Sequence, residues 1–172
     1  METLEILKIV LPALIVLLTA YLMMDKLLRN EEKRRNFELR RNNLSTITPI
    51  RLRAYERLIL VLERTIPHKL ILNVAKPEMT NLQLHTELLA SIRQEFSHNL
   101  SQQIYVSDEV WSAIAGTQES LIQLVNSCSV KCNPTESASS LAELIIQVYV
   151  NTDNTPTEIT IKKLKDEVRA FL

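Results

Sequence analysis

A chain of 172 residues with a single glycine, Gly116, has few ways to turn sharply. Average usage would place about a dozen glycines in a chain of this length. Glycine alone reaches left-handed backbone conformations without steric cost, and tight hairpins, bulges and phosphate-cradling loops depend on it. Its scarcity argues against a hairpin-rich sheet and favours helices joined by Pro, Asn and Ser turns. Hydrophobic residues make up 46% of the chain and aromatics 5%, so a core is available but aliphatic side chains must fill it.

The longest apolar run is Ile6–Met24, ILKIVLPALIVLLTAYLMM. As a helix it is about 28 Å long, close to the thickness of a hydrocarbon core. Lys8 lies near one end, where its stem can reach headgroups, and Tyr21 lies near the other, where amphipathic aromatics concentrate. A cleaved signal peptide would need a basic start and a small-residue cleavage site. Glu2 and Glu5 and the sequence after Ala20 supply neither, so a retained transmembrane anchor over residues 1–24 is expected.

Net charge is zero, but unevenly spread. Residues 1–25 carry −2, residues 26–53 carry +6, and the rest carry −4. Lys26, Arg29, Lys33, Arg34 and Arg35 follow the apolar run directly. By the positive-inside rule they keep that side cytoplasmic and the N-terminus outside. These five are also the candidate lipid contacts, since anionic headgroups attract juxtamembrane cations; topology determination alone is the simpler account of them. Residues 25–47 read as a basic helical stalk, with Glu31 placed to pair with Arg34 and Arg35, and Glu38 with Arg41. The acidic remainder is a poor match for nucleic acid, which is bound by neutralising phosphates.

Residues 48–172 read as a cytoplasmic helical domain. The fold class expected for the chain is all-α: one transmembrane helix, the stalk and a compact bundle of about five helices. After a polar break at Asn42–Thr48, Thr48 and Pro49 suit the cap and first position of a helix running to about Ile66. Residues 68–77 read as a short strand or packed loop. Thr80 and Gln83 form a capping-box pattern for a helix over about 81–102 whose face holds Leu82, His85, Leu89, Ile92, Phe96 and Leu100. Ser107 caps a helix over about 108–127 carrying Val110, Trp111, Ile114, Leu121, Val125 and Cys128, with Gly116 as a possible close-crossing point. Ser140 and Glu143 suggest a capping box for residues 141–150, with a strand as the other reading. Thr155, Pro156 and Glu158 open a last helix burying Ile161, Leu164, Val168 and Phe171.

Chemistry is sparse. His85 falls on an apolar face, where a satisfied core histidine is the ordinary reading. His98 lies one turn from Glu95, an arrangement open to acid–base catalysis but usual for a solvated pair. Cys128 and Cys132 supply at most two metal ligands, short of the three or four that zinc takes. No catalytic residue, cofactor site or metal site is assigned. Two surfaces remain. Leu58–Leu62 is a full helical turn without a polar residue, so the helix is either central to the bundle or docked on a partner through Leu58, Leu60 and Val61. The stretch Gln94–Trp111 gathers Glu95, His98, Asn99, Gln102, Gln103 and Tyr105 around a turn, which suits either recognition or the capping of a tight corner.

The anchor, RLRAYERLILVLER at 51–64, QEFSHNLSQQIYVSDEVW at 94–111 and KKLKDEVRAFL at 162–172 together resemble an uncharacterised bacterial family of small single-pass membrane-anchored helical proteins with no assigned activity. The resemblance implies placement in a bacterial inner membrane and transfers no catalytic residue. The expected function is a membrane-tethered cytoplasmic binding or assembly module that is not an enzyme. Its expected partners are the lipid bilayer and either another protein or a second copy of the chain. An accessory subunit of a larger integral-membrane complex is the alternative, and an enzyme of unknown class stands third.

Overall fold

A computed structural model of the chain describes the backbone of residues 2–171 and the side chains of residues 17–35, 38 and 47–170. Ile6–Val16 of the expected anchor, Arg41 and Phe171 fall outside the described side chains. Among the described residues no helix is long and apolar enough to cross a membrane. The chain is helical, with no strand among the described residues beyond an isolated bridge between Thr80 and Ser137. Its helices are α1 (Glu2–Arg64), α2 (Pro67–Val74), α3 (Asn81–His98), a 3-10 helix (Leu100–Tyr105), α4 (Asp108–Ser129), α5 (Ala138–Val150) and α6 (Pro156–Phe171). They divide into two compact units, residues 1–48 and 49–172.

In the first unit, Asp25 pairs with Arg29 at 2.9 Å and Arg34 with Glu38 at 3.0 Å, each one helical turn apart. Arg34 thus uses Glu38, four residues ahead, for its close ion pair rather than the expected Glu31. The described apolar side chains here are largely exposed. Leu17, Leu18, Leu22, Met23 and Met24 are 56–69% exposed.

The second unit is built around the end of α1. Ala54, Tyr55, Leu58, Val61 and Leu62 are buried there. Leu58–Leu62 is therefore apolar because it is central. Leu58 and Val61 are withdrawn from any contact surface, and Leu60 alone of the three candidates faces solvent. The expected break at residues 42–48 and the cap at Thr48 are absent, because α1 runs through both. Proline is harmless where the helix needs no amide hydrogen from it, and Pro67 instead opens α2 at its first position. This corrects the strand-or-loop expectation for residues 68–77: Leu70 and Ile71 are buried on one face and Leu72 is exposed, the mark of one amphipathic turn.

α3 packs on α2, α4 and α5, and α4 packs on α6. The Thr80–Gln83 capping box is present, but the buried stripe of α3 is Asn81, Leu84, Leu88, Ile92 and Phe96. Leu82 and Leu100 are exposed. The first half of the helix is thus turned by about one residue, or 100°, from the expected face. Asn81 explains the turn. Its amide donates to the Asn133 carbonyl at 2.8 Å and Ser140 Oγ at 2.9 Å, and its Oδ1 accepts from the Leu141 amide at 3.2 Å. A fully bonded amide can be buried where an unbonded one cannot.

Ser140 is engaged with Asn81, so it does not cap α5; Ser137 does, three residues earlier. Residues 141–150 are helix rather than strand, with Leu141 and Ile145 buried one turn apart. Ser107 caps α4 by accepting from the Val110 amide. The α4 core face is Val110, Ile114, Thr117, Leu121, Val125 and Cys128. Gly116 makes no close crossing, since a Cβ built there meets nothing within 4 Å. At α6, the Thr155 amide donates to Glu158 while the Glu158 amide donates to the Thr155 hydroxyl, closing the expected box. Leu164 is fully buried, with Thr157 and Thr160 beside it in the interior.

Candidate functional site

The segment Gln94–Trp111 folds into the corner between α3 and α4. Asn99 caps the end of α3, its side-chain amide donating to the Glu95 carbonyl at 2.9 Å. The Glu95 carboxylate lies 3.9 Å from Arg64, across on α1, so its nearest cation is there rather than on His98. His98 and Gln103 are exposed, Gln102 is half-buried with its amide on Ser101 Oγ, and Tyr105 is half-buried. The six candidates lie in one corner, where the Asn99 side chain closes the end of α3.

Of the apolar residues of this corner, the sequence pattern misassigned Leu100. Leu100 is 54% exposed and Ile104 is 74% exposed on the 3-10 helix. Leu100 borders a groove of about 290 Å³ between α3 and α4, with Phe96, Trp111 and Ile114 at its base and Arg93 on its rim. An apolar groove with a basic rim and neighbouring exposed aliphatics is a surface suited to a helical or extended partner segment. A 3-10 helix has three residues per turn, so the α-helical spacing that assigned Leu100 to the core does not hold past His98.

Behind the corner lies a polar cluster centred on Glu167. Glu167 of α6 accepts from the Tyr55 hydroxyl at 2.5 Å, the Ser107 amide at 3.0 Å and the Ser107 hydroxyl at 2.6 Å. Arg51 lies 3.9 Å from the same carboxylate. Its guanidinium also donates to the Tyr55 oxygen and to the Tyr105 carbonyl, each at 3.2 Å, and sits 6.0 Å from the Tyr55 ring centre.

Burial raises the Tyr55 hydroxyl above its ordinary pKa, and the bond to Glu167 adds to this against the opposing pull of Arg51. Burial also pushes the Glu167 carboxyl up. The Ser107 hydroxyl, the Tyr55 hydroxyl, the Ser107 amide and Arg51 outweigh it and hold the group below the usual carboxylate range. Both carboxylate oxygens of Glu167 accept from protein donors. The cluster ties α1, the 3-10 helix, α4 and α6 together.

The remaining candidates are simply placed. His85 Nε2 lies 2.8 Å from Asn126 Oδ1, across α3 and α4, a satisfied histidine at the edge of the core. Cys128 is buried and its thiol is pushed up by that burial; Cys132 is half-buried, and neither is in a disulfide. No group of three or more His, Cys, Asp or Glu side chains able to hold a metal occurs among the described residues. Lys26, Arg29, Lys33, Arg34 and Arg35 are all exposed. Lys26, Arg29 and Lys33 surround the apolar Met23 and Leu27 on the first unit's helix.

No curated protein and no solved structure matches the chain. A family model matches residues 1–171, the whole of the helical architecture described above, and the chain therefore belongs to the family of unknown function DUF7935.

Proposed function

We propose that this protein is a membrane-tethered binding module. Ile6–Met24 spans a bacterial cytoplasmic membrane once with the N-terminus outside, and the helical unit of residues 49–172 works at the cytoplasmic face. The tether is supported by five apolar side chains, Leu17, Leu18, Leu22, Met23 and Met24, left more than half exposed. Burying one such side chain is worth about 1.5–3 kcal/mol, which lipid supplies and water does not. Lys26, Arg29, Lys33, Arg34 and Arg35 then meet the anionic inner surface.

The observation that carries the binding role is the corner at Leu100 and Ile104 beside the groove over Phe96 and Trp111. Tethering raises the local concentration of that surface for a partner in the same membrane. The polar groups around Glu167 support a structural role, since they bond to one another.

Topology is tested by adding protease to sealed cells and to inverted membrane vesicles. The bundle is expected to survive in cells and to be digested in the vesicles. Digestion in intact cells contradicts the placement. Binding is tested with Leu100→Asp and Ile104→Asp in the full chain. Both are expected to leave helicity and the unfolding midpoint unchanged and to release membrane partners that the wild type retains. Full retention by both variants contradicts the assignment of the surface.

A further inference from the structure

The five cations that follow the apolar run are not equivalent once they are set around the helix. Arg29 is paired with Asp25 at 2.9 Å, and Arg34 with Glu38 at 3.0 Å. Glu38, and after it Glu31, hold the Arg34 guanidinium above its ordinary pKa, so acids stand on both sides of it along the chain. Arg35 lies three residues beyond Glu32 and four beyond Glu31, the spacing of helical neighbours. Lys26 and Lys33 have no ion pair among the described residues.

At about 100° per residue, Met23, Lys26, Leu27, Asn30 and Lys33 fall within about a third of the helix circumference. With Arg29 at its flank, this stripe lines one groove on the helix surface. Asp25, Glu31 and Glu32 fall outside that third. Met23 is 69% exposed and Leu27 59%. The stripe runs from apolar to cationic along the axis and holds no acid. Fixing topology asks only for a number of cations beside the span. It does not ask that the unpaired ones share a face with exposed apolar side chains. An amphiphilic anion does.

In the membrane-tethered reading, on which this inference rests, Met23 stands at the inner end of the span and Lys33 lies farther toward the cytoplasm. Helix side chains tilt toward the N-terminus, here the bilayer side. A lysine stem can lie along apolar surface while its ammonium stays at the polar boundary. We infer that the stripe is a binding site for one anionic phospholipid. An acyl chain lies along Met23 and Leu27, and the phosphate is met by Lys26, the Asn30 amide and Lys33. A zwitterionic headgroup brings its own cation toward the two lysines and is disfavoured, so the lipid is one of net negative charge.

Full-length protein is reconstituted in nanodiscs of phosphatidylcholine with a small fraction of phosphatidylglycerol. The lipids it retains on extraction are counted by native mass spectrometry. The wild type should retain one phosphatidylglycerol per chain. Lys26→Gln with Lys33→Gln should weaken retention about 30-fold, the worth of two charges beside the bilayer. Arg34→Gln with Arg35→Gln removes the same charge from the helix and should weaken it by no more than about threefold, because acids already answer those two. Millimolar inorganic phosphate, which has no acyl chain, should leave the lipid in place. Equal losses from the two double variants would show general attraction to an anionic surface and overturn the site. Displacement by phosphate, or no retained phosphatidylglycerol, would overturn it as well. These results in a chain that passes the protease topology test overturn this site alone, whereas a chain that fails that test overturns the tether and the site together.

Discussion

The two ends of α6 solve the same problem in opposite ways. Near its C-terminus, Glu167 brings a charge into the fold and surrounds it with the Tyr55 hydroxyl, the Ser107 amide and hydroxyl, and Arg51. Near its N-terminus, Thr155, Thr157 and Thr160 bring in hydroxyls alone, and one of them is left without a partner. A carboxylate cannot be covered unless donors answer it, because the penalty for a buried unpaired charge is large. A threonine hydroxyl is cheap enough to leave open, at about 1–3 kcal/mol. The closed end therefore holds helices together, and the open end keeps an unspent hydrogen bond.

The largest expected effect comes from breaking the closed end. Glu167→Ala strands Tyr55, Ser107 and Arg51 together and should destabilise the bundle by about 2–3 kcal/mol in denaturant unfolding. A loss below about 0.5 kcal/mol would put the cluster in the class of solvated surface pairs. The same group sets the acid limb. Its folded pKa is depressed, so its stabilising contribution is present above the ordinary carboxylate value and is lost as pH falls through the lower folded one. Glu167→Gln should flatten that limb of the stability profile. Tyr55 acts with the other sign. Its pKa is raised, so its contribution is present below the ordinary tyrosine value and is lost as pH climbs through the folded one. Tyr55→Phe should remove that alkaline loss.

Repairing the open end should do the reverse. Thr157→Val removes the unserved hydroxyl at constant shape and should stabilise the protein by about 1 kcal/mol. A loss of stability would mean that the hydroxyl is already bonded, and would erase the contrast between the two ends. The smallest effect belongs to α4, which touches both. Gly116→Ala meets open space and should gain about 0.5–1 kcal/mol from helix propensity alone. A destabilised alanine variant would show a contact at α4 that the geometry does not contain.

Much of this arrangement is written in local sequence. The capping residues Thr80, Ser107 and Thr155 are followed by the helices they announce, and the α4 face from Val110 to Cys128 obeys its spacing. One source of misreading is the buried polar residue. Asn81, Thr117, Thr157 and Thr160 are polar residues in the interior, and periodicity counts polar residues as surface. Their burial depends on partners far along the chain, such as Asn133 and Leu141 for Asn81, which no local window contains. Leu100 was misplaced for another reason, a change of helical pitch after His98. No local window singles out Glu167, because its donors lie 60 and 112 residues away.

The most direct test of the binding module is site-specific photocrosslinking in native membranes. A photoreactive residue is placed at Ile104, on the 3-10 helix that carries Leu100, and at Val130, which is 88% exposed at the end of α4. Irradiation from Ile104 should give one discrete adduct, its mass distinguishing a second copy of the chain from a different partner. That adduct should vanish when Leu100→Asp is added, and Val130 should give none. Absence of an adduct at Ile104, or the same adduct from both positions, would contradict the account.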